Sequence, residues 1–309
     1  MTKKTRILIP LLVIVLISSW APSGYAYAIS PTNIVKNLKF KLIRDSFSFD
    51  VIQTRQKLVN EYWLQSYRLS DHEIKQVENG TVEIAPWDIT LLEGNDLNWR
   101  PSPFFQYFLA RTAKTDRINS SHLKSNKAAD HIIWSWRDLD GTHPLHIAPL
   151  THLTIIDRYI LLEKTDDRFL LKRSDGSAYK KRHLKTVYTS WGKETLLPSS
   201  KNIIIAEVHT KRSLTGKIMK FLYRIPPVYI KLNKEDHKYR IIPGSAPNGI
   251  LIEPLPRDPE QLYHFLVNNE PHPETPKNRS IIFFIDSHIK YFTDTIVLEF
   301  YELVRSTPG

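Results

Sequence analysis

Residues 159–173 read YILLEKTDDRFLLKR, two apolar runs parted by Thr165-Asp166-Asp167. Tyr159–Lys164 and Arg168–Arg173 have strand length, and the three polar residues between them suit a hairpin turn. Upstream of this hairpin, strand and helix signals alternate. Thr81–Ala85 (TVEIA) alternates polar and apolar after the Asn79-Gly80 turn and predicts a strand. Asp88 is placed to cap a short helix that Gly94 and Asn95 stop. Arg111–Lys124 and Pro149–Asp157 predict two further helices, the second with its proline in the first turn where it is tolerated. His131–Trp136 predicts another strand. Short strands separated by helices imply a small α/β layer with mixed sheet directions.

Downstream the pattern changes. Ser174–Ser200 is polar and basic, and 174–201 is expected to be a basic linker. Beyond it, strand signals fall at Asn202–His209, Pro227–Leu232, Tyr239–Ile242, Ile250–Glu253, Ser280–Ile285 and Thr295–Leu303, with one helix at Pro259–Val267. Turn clusters such as Pro243-Gly244-Ser245 and Pro247-Asn248-Gly249 separate them. Many short strands with such turns point to a jelly-roll-like β-sandwich over 202–309. Ile34–Leu69 lacks glycine and proline, and Val51, Leu58, Tyr62 and Leu69 recur near helical spacing, so 29–173 reads as an α/β domain preceded by a helical segment. The fold class expected is α+β.

The N-terminus has a secretory character. Lys3, Lys4 and Arg6 form a basic stretch, Ile7–Ile17 is apolar, and Ala26-Tyr27-Ala28 offers a small–x–small cleavage pattern, which makes 1–28 a signal peptide. Two outcomes are open: cleavage after Ala28, or retention as a membrane anchor running on through Trp20 to Ala28. Either places the remaining 281 residues outside the cytoplasm, secreted or associated with the cell envelope. The chain contains no cysteine, so neither disulfides nor a cysteine-linked lipid is available to it. Losing Lys3, Lys4 and Arg6 takes the net charge from +11 to +8. Outside the cell that charge suits an anionic membrane surface or envelope polymer, not nucleic acid. The densest basic run is Lys172, Arg173, Lys180, Lys181, Arg182 and Lys185, a candidate anionic-surface patch or a solvated hairpin tip.

The densest ligand-like cluster is Pro86-Trp87-Asp88 with Leu97–Gln106 (LNWRPSPFFQ). Trp87 and Trp99 offer faces for the C–H side of a sugar ring, and Asp88, Arg100, Gln106, Arg137 and Asp140 offer partners for hydroxyls. The competing structural reading makes the aromatics core filler and pairs Arg100 with Asp88. Asp138-Leu139-Asp140-Gly141 with His143, His146 and His152 lacks the ligand spacing of a calcium loop or a zinc helix, and no metal or cofactor is expected. G-x-S-x-G and glycine-rich phosphate loops are absent, so no catalytic residue is assigned.

The run W-D…L-N-W-R-P-x-P-x-F-Q at 87–106, with Ala129–Ile133 and Trp136–Leu145 (WRDLDGTHPL), resembles the extracytoplasmic domain of an uncharacterised bacterial family of polytopic, glycosyltransferase-like membrane proteins. Gly216–Pro227 (GKIMKFLYRIPP) and Tyr239–Gly249 (YRIIPGSAPNG) resemble the β-rich end of the same proteins, so the likeness covers roughly residues 80 to 305. This sequence shows no counterpart of that family's multi-pass region, so no membrane-embedded transferase activity is expected of it. The resemblance implies an envelope location. Together these readings describe a non-catalytic envelope accessory protein that binds glycan or a multi-pass membrane partner. The alternative is a glycan-active hydrolase or transferase using carboxylates among Asp88, Asp138 and Asp140.

Overall fold

The computed structural model describes residues 53–58, 61–62 and 67–306, apart from 167, 223–225, 234, 269 and 287–290. The signal segment lies outside the described residues. So does most of the expected Ile34–Leu69 helix, of which 53–58 and 61–62 are helical. Leu69 itself is not helical. It is buried, and its N–H donates to Asn95 Oδ1 at 2.8 Å.

The first sheet contains β1 (Val82–Ala85), β2 (His131–Ser135), β3 (Tyr159–Thr165) and β4 (Arg168–Arg173) in the order β1-β2-β4-β3. The β1–β2 pair is parallel and the others are antiparallel, so the sheet is mixed and the hairpin of 159–173 closes one edge. Strand alternation splits its side chains between two faces. Ile84, Ile133 and Leu170 meet α1 (Asp71–Val77) and α2 (Thr90–Asn95) through Val77 and Leu91. Ile132, Trp134, Phe169 and Leu171 point into the larger core, shared with α3 (Ala113–Lys124) and α4 (Pro149–Arg158). Helices on both faces explain why β2 is buried along its whole length.

Local chemistry starts these helices. Ser70 and Glu73 form a reciprocal capping box on α1, and Thr112 with Thr115 does the same for α3. Asp88 does not cap α2: Ile89 occupies that position without a side-chain hydrogen bond. Asp116, buried on α3, accepts from Leu150 N at 3.1 Å, Thr151 N at 2.9 Å and Thr151 Oγ1 at 2.7 Å. It thereby satisfies the free N–H groups of the first turn of α4.

The stretch expected as a linker is instead folded sheet. β5 (Tyr179–Ser190) pairs with β12 (Phe292–Arg305) from Thr295 opposite Ser190 to Arg305 opposite Tyr179. β6 (Glu194–Leu196) follows after the Trp191-Gly192 turn. β5 reads as polar because it is an edge strand, exposed over most of its length, where lysines also guard against pairing with another chain. The remaining elements are β7 (Ile203–Arg212), α5 (Leu214–Leu222), β8 (Val228–Leu232), β9 (Lys238–Ile241), β10 (Ile250–Glu253), α6 (Pro259–Asn268) and β11 (Ser280–Ile285). They complete two antiparallel sheets ordered β10-β7-β12-β5 and β6-β11-β8-β9. Leu214–Leu222 was not anticipated as a helix within the expected β-rich end.

Val208, Leu298 and Phe300 of one antiparallel sheet and Ile230, Ile281 and Phe283 of the other belong to the same core as Ile132 and Trp134. Each such side chain contributes about 1.5–3 kcal/mol by leaving water. Residues 67–309 accordingly form one compact unit, with no boundary in compactness at 174–201. The architecture is α+β with three separate four-stranded sheets.

Candidate ligand pocket

Of the seven residues expected to contact a ligand, Asp88 and Arg137 are brought together, at 3.8 Å. Asn98–Arg100 runs beside β1, with Val82 N donating to Asn98 O at 2.8 Å and Arg100 N to Val82 O at 2.9 Å. Trp99 packs edge-on against Phe105 at 5.6 Å, and Arg100 is exposed. Asp88 pairs not with Arg100 but with Arg137, at 3.8 Å. Trp87 is half-buried against Phe108, and Gln106 is half-buried before the 3-10 turn Tyr107–Leu109. Asp140 turns away to Arg240, at 3.0 Å.

Next to Arg137, however, Trp136 and Asp138 line a pocket of about 450 Å³ with His143, His237, Tyr239 and Arg257. That volume lies within the range of small-ligand sites, roughly 300–1,000 Å³. The intervening Arg137 is not among the pocket's lining residues.

Three segments build this pocket. The first carries Asp140 and Gly141, both at positive φ (+52° and +70°), with Thr142 N donating back to Leu139 O at 2.8 Å. Two successive left-handed residues define a type I′ turn, for which Asp-Gly is a favoured pair. The second segment is fastened to it: Arg240 N donates to Gly141 O at 2.8 Å, while its side chain holds Asp140. This brings Tyr239 and His237 against the turn, with His143 edge-on to Tyr239 at 5.1 Å and to Trp136 at 5.4 Å. The third segment follows β10: His143 Nε2 donates to Pro256 O at 2.7 Å and Nδ1 accepts from Leu145 N at 3.1 Å. Arg257 is held by a two-pronged bond to Glu235, at 2.6 and 3.0 Å.

Burial disfavours the charged form of the histidines in and behind this wall. Burial, with His146 nearby, depresses His143 well below the ordinary imidazole value. His146 donates Nε2–H to Leu251 O at 2.7 Å, and burial lowers it to about 4. His152 stacks on Trp134 with ring centroids 5.4 Å apart, and burial lowers it to about 3. Both nitrogens of His143 are committed, so it cannot serve as a base toward a ligand in the pocket. Glu83 on β1 accepts from Tyr107 Oη at 2.8 Å, and burial raises it to about 7 against the opposing hydrogen bond of Tyr107. It lines no part of the pocket. The sequence pattern of His143, His146 and His152 suits solvated histidines, but the structure buries all three.

Two other clusters complete the picture. In the basic run, Lys181 pairs with Glu207, Arg182 with Glu302, and Arg173 donates to Ser125 O at 2.6 Å, so half of the expected patch is already engaged. Among the described residues, Glu207, His209 and Glu299 bring three metal-capable atoms within 4.8 Å of one another on β7 and β12. There Tyr301 Oη donates to Glu299 at 2.7 Å. No family model, curated protein or solved structure matches this chain.

Proposed function

We propose that this chain is an exported cell-envelope accessory protein that binds a saccharide in the pocket of Trp136 and Tyr239 without transforming it. One observation carries the reading: indole, phenol and imidazole rings share a concave site with a single carboxylate, Asp138, and a guanidinium, Arg257. Aromatic faces suit the C–H surface of a pyranose, and the two charged groups suit its hydroxyls. Glycoside cleavage calls for two carboxyl groups flanking the bond. Asp138 is the only carboxylate among the described lining residues. The other two acids offered for an enzyme, Asp88 and Asp140, are each held by an arginine of their own. Two of the five stretches that carry the family resemblance, 136–145 and 239–249, supply most of this wall, which favours a binding role shared with that family. The two antiparallel sheets with their common core are read as a jelly-roll-like sandwich that carries the His237 and Tyr239 side of the site.

Tryptophan emission on titration with neutral and anionic envelope oligosaccharides tests this role. Saturable change with at least one saccharide class supports it. Product formation from that saccharide would turn the assignment to an enzyme.

A further inference from the structure

The helix α5 presents its apolar side to solvent. Leu214, Ile218 and Phe221 are 75%, 53% and 90% exposed and, at i, i+4 and i+7, share one stripe. The opposite side is seated on the body through Gly216. A Cβ there would come within 1.9 Å of the Tyr291 carbonyl oxygen. Gly216 N donates to Ser213 Oγ at 3.0 Å, and Ser213 N to the same Tyr291 carbonyl at 3.2 Å. The helix is therefore anchored with its greasy face pointing outward.

Beside it lies a cleft of about 520 Å³ lined by Arg111, Arg212, Lys220 and Arg240, with no carboxylate among its described lining residues. Arg212 Nε is buried there without a hydrogen-bond partner. Arg240 is already offset by Asp140. Lys211 and Lys217 are exposed on the approach to the cleft and on the helix.

We propose that α5 and this cleft form a docking surface for an anionic lipid bilayer. Leu214, Ile218 and Phe221 enter the boundary between headgroups and acyl chains, and the cations of the cleft and helix meet lipid phosphates. Charge selects this occupant. A second copy of the chain, itself carrying +11, would set these cations against their like, whereas an anionic bilayer supplies apolar depth and negative charge together. The nine residues of α5 suit a helix lying in the interface plane, and no helix among the described residues is long and apolar enough to cross a membrane.

The absence of cysteine makes the test site-specific. In the full chain, Phe221→Cys carries an environment-sensitive fluorophore, and Tyr188→Cys, 72% exposed on β5, carries the same label as a reference. On vesicles of phosphatidylglycerol and phosphatidylcholine, the label at 221 should shift to the blue and brighten while the label at 188 does not. Vesicles of phosphatidylcholine alone should give a far weaker response. Adding Arg212→Glu and Lys220→Glu should weaken apparent vesicle affinity about ten-fold or more, with circular dichroism unchanged. An unshifted label at 221 in a folded protein would overturn the proposal. So would equal shifts at 221 and 188, or equal responses to the two vesicle types. A shift that grows with protein concentration without vesicles, accompanied by dimer in sedimentation, would assign the face to a second copy instead.

Discussion

Asp116 and Asn248, 132 residues apart, are joined by a hydrogen bond of 2.9 Å in the interior. Asn248 also donates to Ala113 O at 3.0 Å, so one amide fastens the turn before β10 to α3 while Asp116 holds the start of α4. Removing the carboxylate leaves at least three buried donors without their acceptor. Asp116→Ala should therefore cost about 3 kcal/mol or more in chemical denaturation. A loss near zero would mean that the donors find other partners and that this junction is not a structural hub.

Glu83 makes stability depend on pH in a defined direction. Its folded value of about 7 lies above the ordinary carboxylate value of 4.5, so the folded state holds a proton that the unfolded chain has released. Stability from this group is fully present below pH 4.5 and is lost as pH rises through 7. Glu83→Gln keeps the acceptor for Tyr107 but cannot ionise. The variant should match the wild type near pH 4 and exceed it at pH 8 by about 2–3 kcal/mol. Denaturant melts at the two pH values check this; a constant difference would show that Glu83 does not titrate in the fold.

His146 acts in the opposite sense. Burial lowers it from 6.5 to about 4, so the unfolded state binds the proton first and stability falls as pH drops from 6.5 to 4. His146→Gln offers an amide N–H near Leu251 O but no titrating site. Its stability should decline less over that window, by on the order of 3 kcal/mol relative to the wild type. Parallel declines in both proteins would remove His146 as a source of acid lability.

Much of the fold was legible where side-chain pattern and chain geometry agree. The buried β2 and the strands of Ile250–Glu253 and Ser280–Ile285 each carry apolar residues because both of their sides meet core, and the hairpin 159–173 is marked by two apolar runs about a polar turn. β5 was misread because an edge strand pairs along one side only and keeps a polar surface, so its sequence resembles a linker. α5 hid for the related reason that its apolar stripe faces solvent. The pocket was legible only by half. Trp136, Asp138 and His143 stood in a motif already singled out, but Tyr239 and Arg257 lie about a hundred residues away, and long-range bonds such as Gly141–Arg240 and His143–Pro256 bring them there.

The saccharide role of the pocket is tested most directly by calorimetric titration of the wild type, Asp138→Ala and Arg100→Ala with an oligosaccharide that perturbs tryptophan emission. Asp138 and Arg100 are both exposed, so each substitution should leave stability within about 0.5 kcal/mol, and any change in binding then reports the ligand site itself. The expected result is a ten-fold or greater loss of affinity for Asp138→Ala, about 1.4 kcal/mol, with Arg100→Ala binding as the wild type does. Undiminished binding by Asp138→Ala, or loss confined to Arg100→Ala, would contradict the assignment and return the ligand to the Trp99 surface.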